Sequence, residues 1–473
     1  MKTRYTSTIV AAALAVASFS LLGACGGAQK TPTRSGLGGN DVPPPPEHEG
    51  AKAAEPKREI STDARKDYEE AAAYYKDQEK GGWNESSCKQ AAERFANVAH
   101  AHPDLVEAQY MVGRSYHNCG LFGDAERAYQ AALKIKANHG ASISNLGEIY
   151  FRNGKLDGAK KYWESAIKAN PKLEAAYNNL ASLLLEDLRK TKEGESWNRI
   201  EKQARDYLSA VLAVDQDNVR AYTLYGLVYL EGRQKNKNRL DLAKLLLDEG
   251  KKRQEKYAPL QNAYGLYYMA RNNLRDALAS FQQAVELDPS FAEARMNVGL
   301  ITLGFRKYDV AKDQFTKVIE LDPKNYDAYI GLGIAQRGMG DLDAAEDSYK
   351  KARGVDGRRG DALFNLGVLY KDFRAAKQPD LKASQTAYRT ARDYFKDFLD
   401  KDGSNDDRDE AKANISDCDK VIKQLDDFIR ASANQPQPPP EPPAPALAPA
   451  PAPGAAPAGQ PAPAPGDKAD KPK

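Results

Sequence analysis

Apolar positions along this 473-residue chain fall into three regimes. From Ile9 to about Leu22 they run almost unbroken and then stop, short of the ~20 residues a membrane-spanning helix needs. From about Ser61 to Arg430 they are interspersed with charged residues and show little strand-like alternation, which predicts a helical body. From Gln435 the chain reads QPQPPPEPPAPALAPAPAPGAAPAGQPAPAP, which predicts neither helix nor sheet, because proline lacks a backbone donor and fixes its own dihedral. Within the body the pattern repeats. In SISNLGEIYFRNGKLDGAKKYWESAIKANP a Leu-Gly pair is followed by a Tyr three residues after the Gly, then by an Ala, an aromatic, a second Ala and a Pro. The small residue recurs at Gly113, Gly147 and Ala181, and again at Gly265, Gly299, Gly333 and Gly367, every step inside each set being 34 residues. The later Ala recurs at Ala125, Ala159, Ala277, Ala311 and Ala345, with aromatics at Tyr129, Trp163, Phe281, Phe315 and Tyr349.

A period of this length marks a repeat architecture, and these residues at these spacings resemble the tetratricopeptide repeat (TPR). The resemblance implies two antiparallel helices per unit, with small residues where the helices touch and large ones filling the gaps. It also implies an all-α TPR solenoid over residues 61–430, with about nine helix-turn-helix units and a C-terminal capping helix. The two ladders are separated by longer steps, Ala181 to Gly226 and Gly226 to Gly265. Matching the second helices at Ala204 and Ala243 puts the excess into the turn inside each unit, and similar extra residues fall in the first and last units. All four insertions are expected at one edge of the solenoid.

The first helices of such an array line a concave face. In this family the groove positions are three before, one after and four after the small residue. In the first ladder these are mostly polar: Tyr110, Arg114, His117, Ser144, Glu148, Phe151, Asn178, Ser182 and Leu185. In the second, Leu266, Met269, Met296, Leu300, Leu303, Ile330, Ile334, Phe364 and Val368 form an apolar run among Asn262, Arg337 and Lys371. Such a run predicts a partner-binding groove for an amphipathic or extended peptide, unless tight winding or the chain's own last helix fills it.

The two ends place the chain. Lys2 and Arg4, the short apolar stretch and the small residues after it describe a secretory signal peptide over residues 1–24. Leu22-Gly23-Ala24-Cys25 resembles the lipobox of bacterial lipoproteins, which implies cleavage before Cys25 and lipidation of its sulfur. Acyl chains at ~0.8 kcal/mol per buried methylene would anchor the chain to a membrane. Residues 25–60, with DVPPPPEHEG, read as a disordered tether of ~35 Å average reach. Residues 431–473 read as a disordered Pro/Ala-rich tail, ~95 Å if extended.

Composition narrows the function. With 69 Lys and Arg against 66 Asp and Glu, the net charge of +3 argues against a nucleic-acid binder. An envelope compartment is oxidising, so Cys88 and Cys119, at ends of helices expected to meet at one edge, are candidates for a disulfide or for two part-buried thiols. Cys418 has no evident mate. No HExxH, phosphate loop or GxSxG elbow occurs, so no enzyme is expected, and no cofactor or metal site beyond the covalent lipid on Cys25. Gly26 after the lipidated cysteine resembles the arrangement that directs lipoproteins to the outer membrane, facing the periplasm. The ensemble resembles the adventurous-gliding-motility TPR lipoproteins of the GltE type. That resemblance implies a scaffold binding envelope proteins, with peptidoglycan as a further contact. A pilotin-like assembly factor for a secretin or type IV pilus is the alternative.

Overall fold

The computed structural model describes residues 60–236, 238–401 and 405–433. The expected signal peptide and Cys25 lipid site, most of the expected tether and nearly all of the expected tail lie outside these residues. Eighteen helices form nine consecutive pairs: α1 (Thr62–Gly81) with α2 (Glu85–Ala101), α3 (Val106–Asn118) with α4 (Phe122–Ile135), α5 (Gly140–Arg152) with α6 (Leu156–Ala169), α7 (Glu174–Lys190) with α8 (Glu195–Val214), α9 (Val219–Glu231) with α10 (Asn238–Arg253), α11 (Ala258–Ala270) with α12 (Leu274–Leu287), α13 (Ala292–Gly304) with α14 (Tyr308–Leu321), α15 (Tyr326–Met339) with α16 (Leu342–Val355), and α17 (Asp361–Val368) with α18 (Leu381–Leu399). A last helix, α19 (Asn405–Ala433), packs on α18. It ends three residues beyond Arg430, where the sequence pattern placed the end of the body.

The glycine ladder has a steric cause. A Cβ on Gly147 would lie 2.6 Å from the Trp163 ring, and one on Gly299 would lie 2.8 Å from Phe315. Gly113 faces Tyr129, Gly265 faces Phe281 and Gly333 faces Tyr349 in the same way. Each of these five first helices therefore lets the aromatic of its own second helix lie against bare backbone. Tyr129, Trp163, Phe281, Phe315, Tyr349 and Phe395 are all fully buried. Trp163 also donates its indole N–H to the Ser144 carbonyl at 3.0 Å.

Two further ladders follow the same period. The turn inside a unit passes through a left-handed residue at Gly120, Gly154, Asn272, Arg306 and Gly340. Where units join, a carboxylate or amide accepts the backbone N–H two residues on: Asn170 from Lys172, Asp288 from Ser290, Asp322 from Lys324 and Asp356 from Arg358, each at 2.9–3.0 Å. These Asx turns fix the exit direction of each second helix.

The insertions are absorbed differently from the turn expected. In the fourth unit α7 has 17 residues and α8 has 20, against 13 and 14 in the third, so most of the excess is extra helix. The last unit lengthens its first helix through a π turn at Leu369–Arg374 and a short 3-10 turn at Ala375–Lys377. The basic run 232–239 is partly sequestered. Lys235 sits 3.7 Å above the Trp197 ring, and Arg239 pairs with buried Glu201 while lying over Trp197 and Tyr229.

Candidate interaction surface

Successive first helices pack side by side, α7 on α9, α9 on α11, α13 on α15 and α15 on α17, and this line of contact is the concave face. Its apolar half is not the open stripe that the sequence pattern predicts. Leu266, Met269, Met296, Leu303 and Val368 are buried, and Leu300, Ile330, Ile334 and Phe364 are half-buried. Ile330 and Ile334 pack on Leu366 and Leu369 of the next unit, and Leu300 and Ile334 join the cluster around Phe315. Phe364 turns into its own unit, edge-on to Phe395 and Phe398 at 5.5 and 5.4 Å. Leu266, Met269, Met296 and Leu303 thus lie in the core with Leu300 against it, Ile330 and Ile334 pack against the next unit, and Phe364 and Val368 pack within the last unit and against α19. Tight winding brings neighbouring helices close enough for large side chains to meet each other instead of solvent.

The polar half is open only toward its N-terminal end: Ser144, Asn178, Ser182 and Leu185 are buried. Arg114 is 47% exposed and lies near Glu79, at 3.7 Å, and over the Tyr75 ring. Tyr110, His117 and Phe151 are half-buried. Glu148 is the centre of a closed network: His117 Nε2 is 3.5 Å from Oε1, and Arg152 Nη2 donates to the same oxygen at 2.9 Å. Tyr129 OH lies 3.3 Å from His117 Nδ1 and accepts from Asn145 at 2.9 Å. Burial opposes the charge on Glu148, but its hydrogen bonds and attraction to His117 and Arg152 outweigh that and lower its carboxyl to about 2.

A second buried carboxyl was missed by sequence reasoning. Glu293, in the first turn of α13, is 5% exposed. Its Oε1 accepts from Asn262 Nδ2 at 2.9 Å, and Asn262 Oδ1 accepts from Asn297 Nδ2 at 3.0 Å. Its Oε2 has no hydrogen-bond partner. Burial pushes this carboxyl up to about 7, against a downward pull from Arg189 and the Asn262 hydrogen bond, with Glu186 and Glu231 adding repulsion. A faint signal existed in the repeat register. Glu293, Asp327 and Asp361 occupy equivalent places 34 residues apart. Asp327 is paired with Arg359 at 2.7 Å, whereas the equivalent of Arg359 one unit earlier is Asn325, whose side chain caps α15 at the Ala328 N–H.

Cys88 and Cys119 form a disulfide with their Cα atoms 6.2 Å apart, tying the start of α2 to the end of α3. Cys418 is a buried free thiol, pushed by burial to about 11. His102 bonds to Asp67 at 3.0 Å. Among the described residues no cluster of three or more His, Cys, Asp or Glu could hold a metal, and no helix is long and apolar enough to cross a membrane.

Models of the tetratricopeptide repeat match residues 83–140, 263–303, 302–362 and 330–372, and a second such model matches residues 141–173. The helical pairs described above are a TPR solenoid, and residues 83–173 and 263–372 carry tetratricopeptide repeats, a type of repeat that mediates protein–protein interaction. The chain is 27% identical over 163 residues to mouse (Mus musculus) protein O-mannosyl-transferase TMTC3, covering 31% of this chain and 16% of that protein. It is 24% identical over 234 residues to the BBSome complex member BBS4 homolog of Drosophila melanogaster, covering 47% and 45%. The chain spans less than half the length of either relative. Among solved structures it is similar to a thermophilic TPR protein of Thermus thermophilus, TTC0263, with 23% identity, a TM-score of 0.36 and coverage of 42% and 99%. Human IFIT1 is similar with 16% identity, a TM-score of 0.48 and coverage of 77% and 81%.

Proposed function

We propose that this chain is an outer-membrane-anchored lipoprotein whose periplasmic solenoid is a protein-interaction scaffold in an envelope machine, with gliding motility as the system its sequence resembles. The observation that carries the reading is the Leu22-Gly23-Ala24-Cys25 run ahead of a solenoid with no catalytic motif in its sequence. Lipid on Cys25 would supply the anchor and residues 25–60 the reach, while the first helices present the concave face to a partner. The partners are envelope proteins or peptides, with peptidoglycan as a further contact; no cofactor takes part. Exposed Arg114 and half-buried Tyr110 and Phe151 are where a partner chain can reach that face without prising units apart.

The test is crosslinking in intact cells from a photoreactive residue at position 114, with position 245 on exposed Leu245 as the control. Partners captured from 114 and not from 245, and lost in Cys25→Ala, are the expected result. Partners kept at full strength by the unanchored form overturn the anchored-scaffold reading. Capture of a secretin, with loss of its multimers when the chain is deleted, would replace motility by the pilotin-like role.

A further inference from the structure

One second helix breaks the outer pattern of the solenoid. Two residues after the repeating Ala, the other units that share the register carry Arg127, Lys161, Asp206, Ala279, Asp313 and Asp347. In α10 the same position is Leu245, 57% exposed, with Leu242 a turn earlier at 42%. Two exposed leucines alone would mean little. What stands beside them gives them meaning.

The start of α10 and the run before it meet α8 through an excess of positive charge. Arg205 and Arg239 both lie against buried Glu201, two guanidiniums to one carboxylate. Exposed Lys235, 3.7 Å above the Trp197 ring, donates to Asn198 Oδ1 at 2.7 Å, and exposed Arg199 donates to Ser196 Oγ at 3.1 Å. Arg233 donates to the Leu230 carbonyl at 3.0 Å. These last three cations hold neutral partners, so positive charge prevails even with Glu193 and Glu195 just before them. The carboxylates nearest the leucines are already answered: Asp241 lies 3.9 Å from Arg271, and Glu249 pairs with Lys252 and Arg253. Second helices form the outer side of the array, so cations and leucines together make a convex ridge. A ridge of this kind matches a flat surface whose anionic outer layer covers an apolar one.

Resting on the membrane-anchored reading above, we propose that the outer ridge of the fourth and fifth units lies on an anionic phospholipid surface. Lys235 and Arg199 meet headgroup phosphates, while Leu242 and Leu245 enter the interfacial layer. The lipid on Cys25 and this ridge are then two separate attachments, and the second orients the solenoid as a tether alone does not.

The test titrates the full chain carrying Cys25→Ala with vesicles of phosphatidylcholine, either pure or containing about 30% phosphatidylglycerol, and reads binding by sedimentation. Residues 1–24 are common to every variant, so the ridge is read from Lys235→Glu and Leu245→Asp, two exposed sites that leave the Glu201 pairs in place. Each variant is expected to weaken binding to the anionic vesicles by at least about tenfold, with an unchanged unfolding temperature. Wild type is expected to bind pure phosphatidylcholine at least about tenfold more weakly than the anionic mixture. Equal binding by wild type and both variants, or equal binding to both vesicle types, overturns the proposal. Self-association of wild type that Leu245→Asp abolishes, or a protein captured from position 245 in cells, overturns it by giving the ridge another occupant. Ridge-dependent vesicle binding, with crosslinks from position 114 kept in Cys25→Ala, supports the ridge and sinks the anchor. Binding that ignores both variants, with those crosslinks lost in Cys25→Ala, does the reverse.

Discussion

Glu148 and Glu293 are both largely buried carboxyls on first helices of the same solenoid, and the fold treats them oppositely. Around Glu148 the third unit has Arg152 one turn away, the second unit supplies His117, and the carboxyl falls to about 2. Around Glu293 the corresponding supply fails: Asn262 gives one hydrogen bond, Oε2 is left over, and the carboxyl rises to about 7. Burial acts in the same direction on both, so partners decide the sign. A repeat scaffold fixes where a side chain stands, and only the non-repeating residues around it fix its charge.

The largest expected effects test whether the two regions share one scaffold. Trp163→Ala near Glu148 and Phe315→Ala near Glu293 each remove a fully buried ring seated on a glycine. Both should cost about 3–5 kcal/mol in urea unfolding, and a cost confined to one region would break the equivalence. Next comes a difference built into the N-terminal end. Reducing Cys88–Cys119, 31 residues apart, should cost about 3–4 kcal/mol of stability in the first two units. Hydrogen exchange should show that loss in α2 and α3 and leave α13 unchanged.

Much of this was legible in the sequence, because the ladder residues are steric necessities: glycine under an aromatic ring leaves a periodic trace. Three things were not. The apolar groove positions read as open because periodicity identifies a face and says nothing of how tightly neighbouring faces wind together; Leu266 and Met296 meet other units. The fourth-unit insertion read as turn, although a run such as EDLRKTKEGESWNRIEKQ extends helix on both sides of a short break. Glu293 looked like its equivalents Asp327 and Asp361, and its isolation depends on Asn325 standing where the next unit has Arg359.

Smaller effects concern the charges themselves. Glu148, depressed when folded, adds stability that is complete above the ordinary carboxylate range near 4.5 and is lost as pH falls toward 2. Glu293, raised when folded, has the opposite sign: its stabilising contribution is complete below about 4.5 and disappears as pH climbs through 7. Glu148→Gln should therefore destabilise by about 1–3 kcal/mol at neutral pH, and Glu293→Gln should stabilise by a similar amount near pH 8 and by less near pH 5. Thermal unfolding across that range would show it. The smallest effect belongs to Arg306, left-handed at φ 58° where Gly120, Gly154 and Gly340 serve other units. Arg306→Gly should change stability by under about 1 kcal/mol, in the favourable direction.

The most direct measurement is a side-chain carboxyl NMR titration of the folded full chain, with Glu148→Gln and Glu293→Gln spectra assigning the two signals. The account predicts that the Glu293 signal moves near pH 7 and the Glu148 signal near pH 2, with neither moving in the ordinary range between. Two signals titrating together near 4.5 would contradict it, because the two halves of the concave face would then treat a buried carboxyl alike.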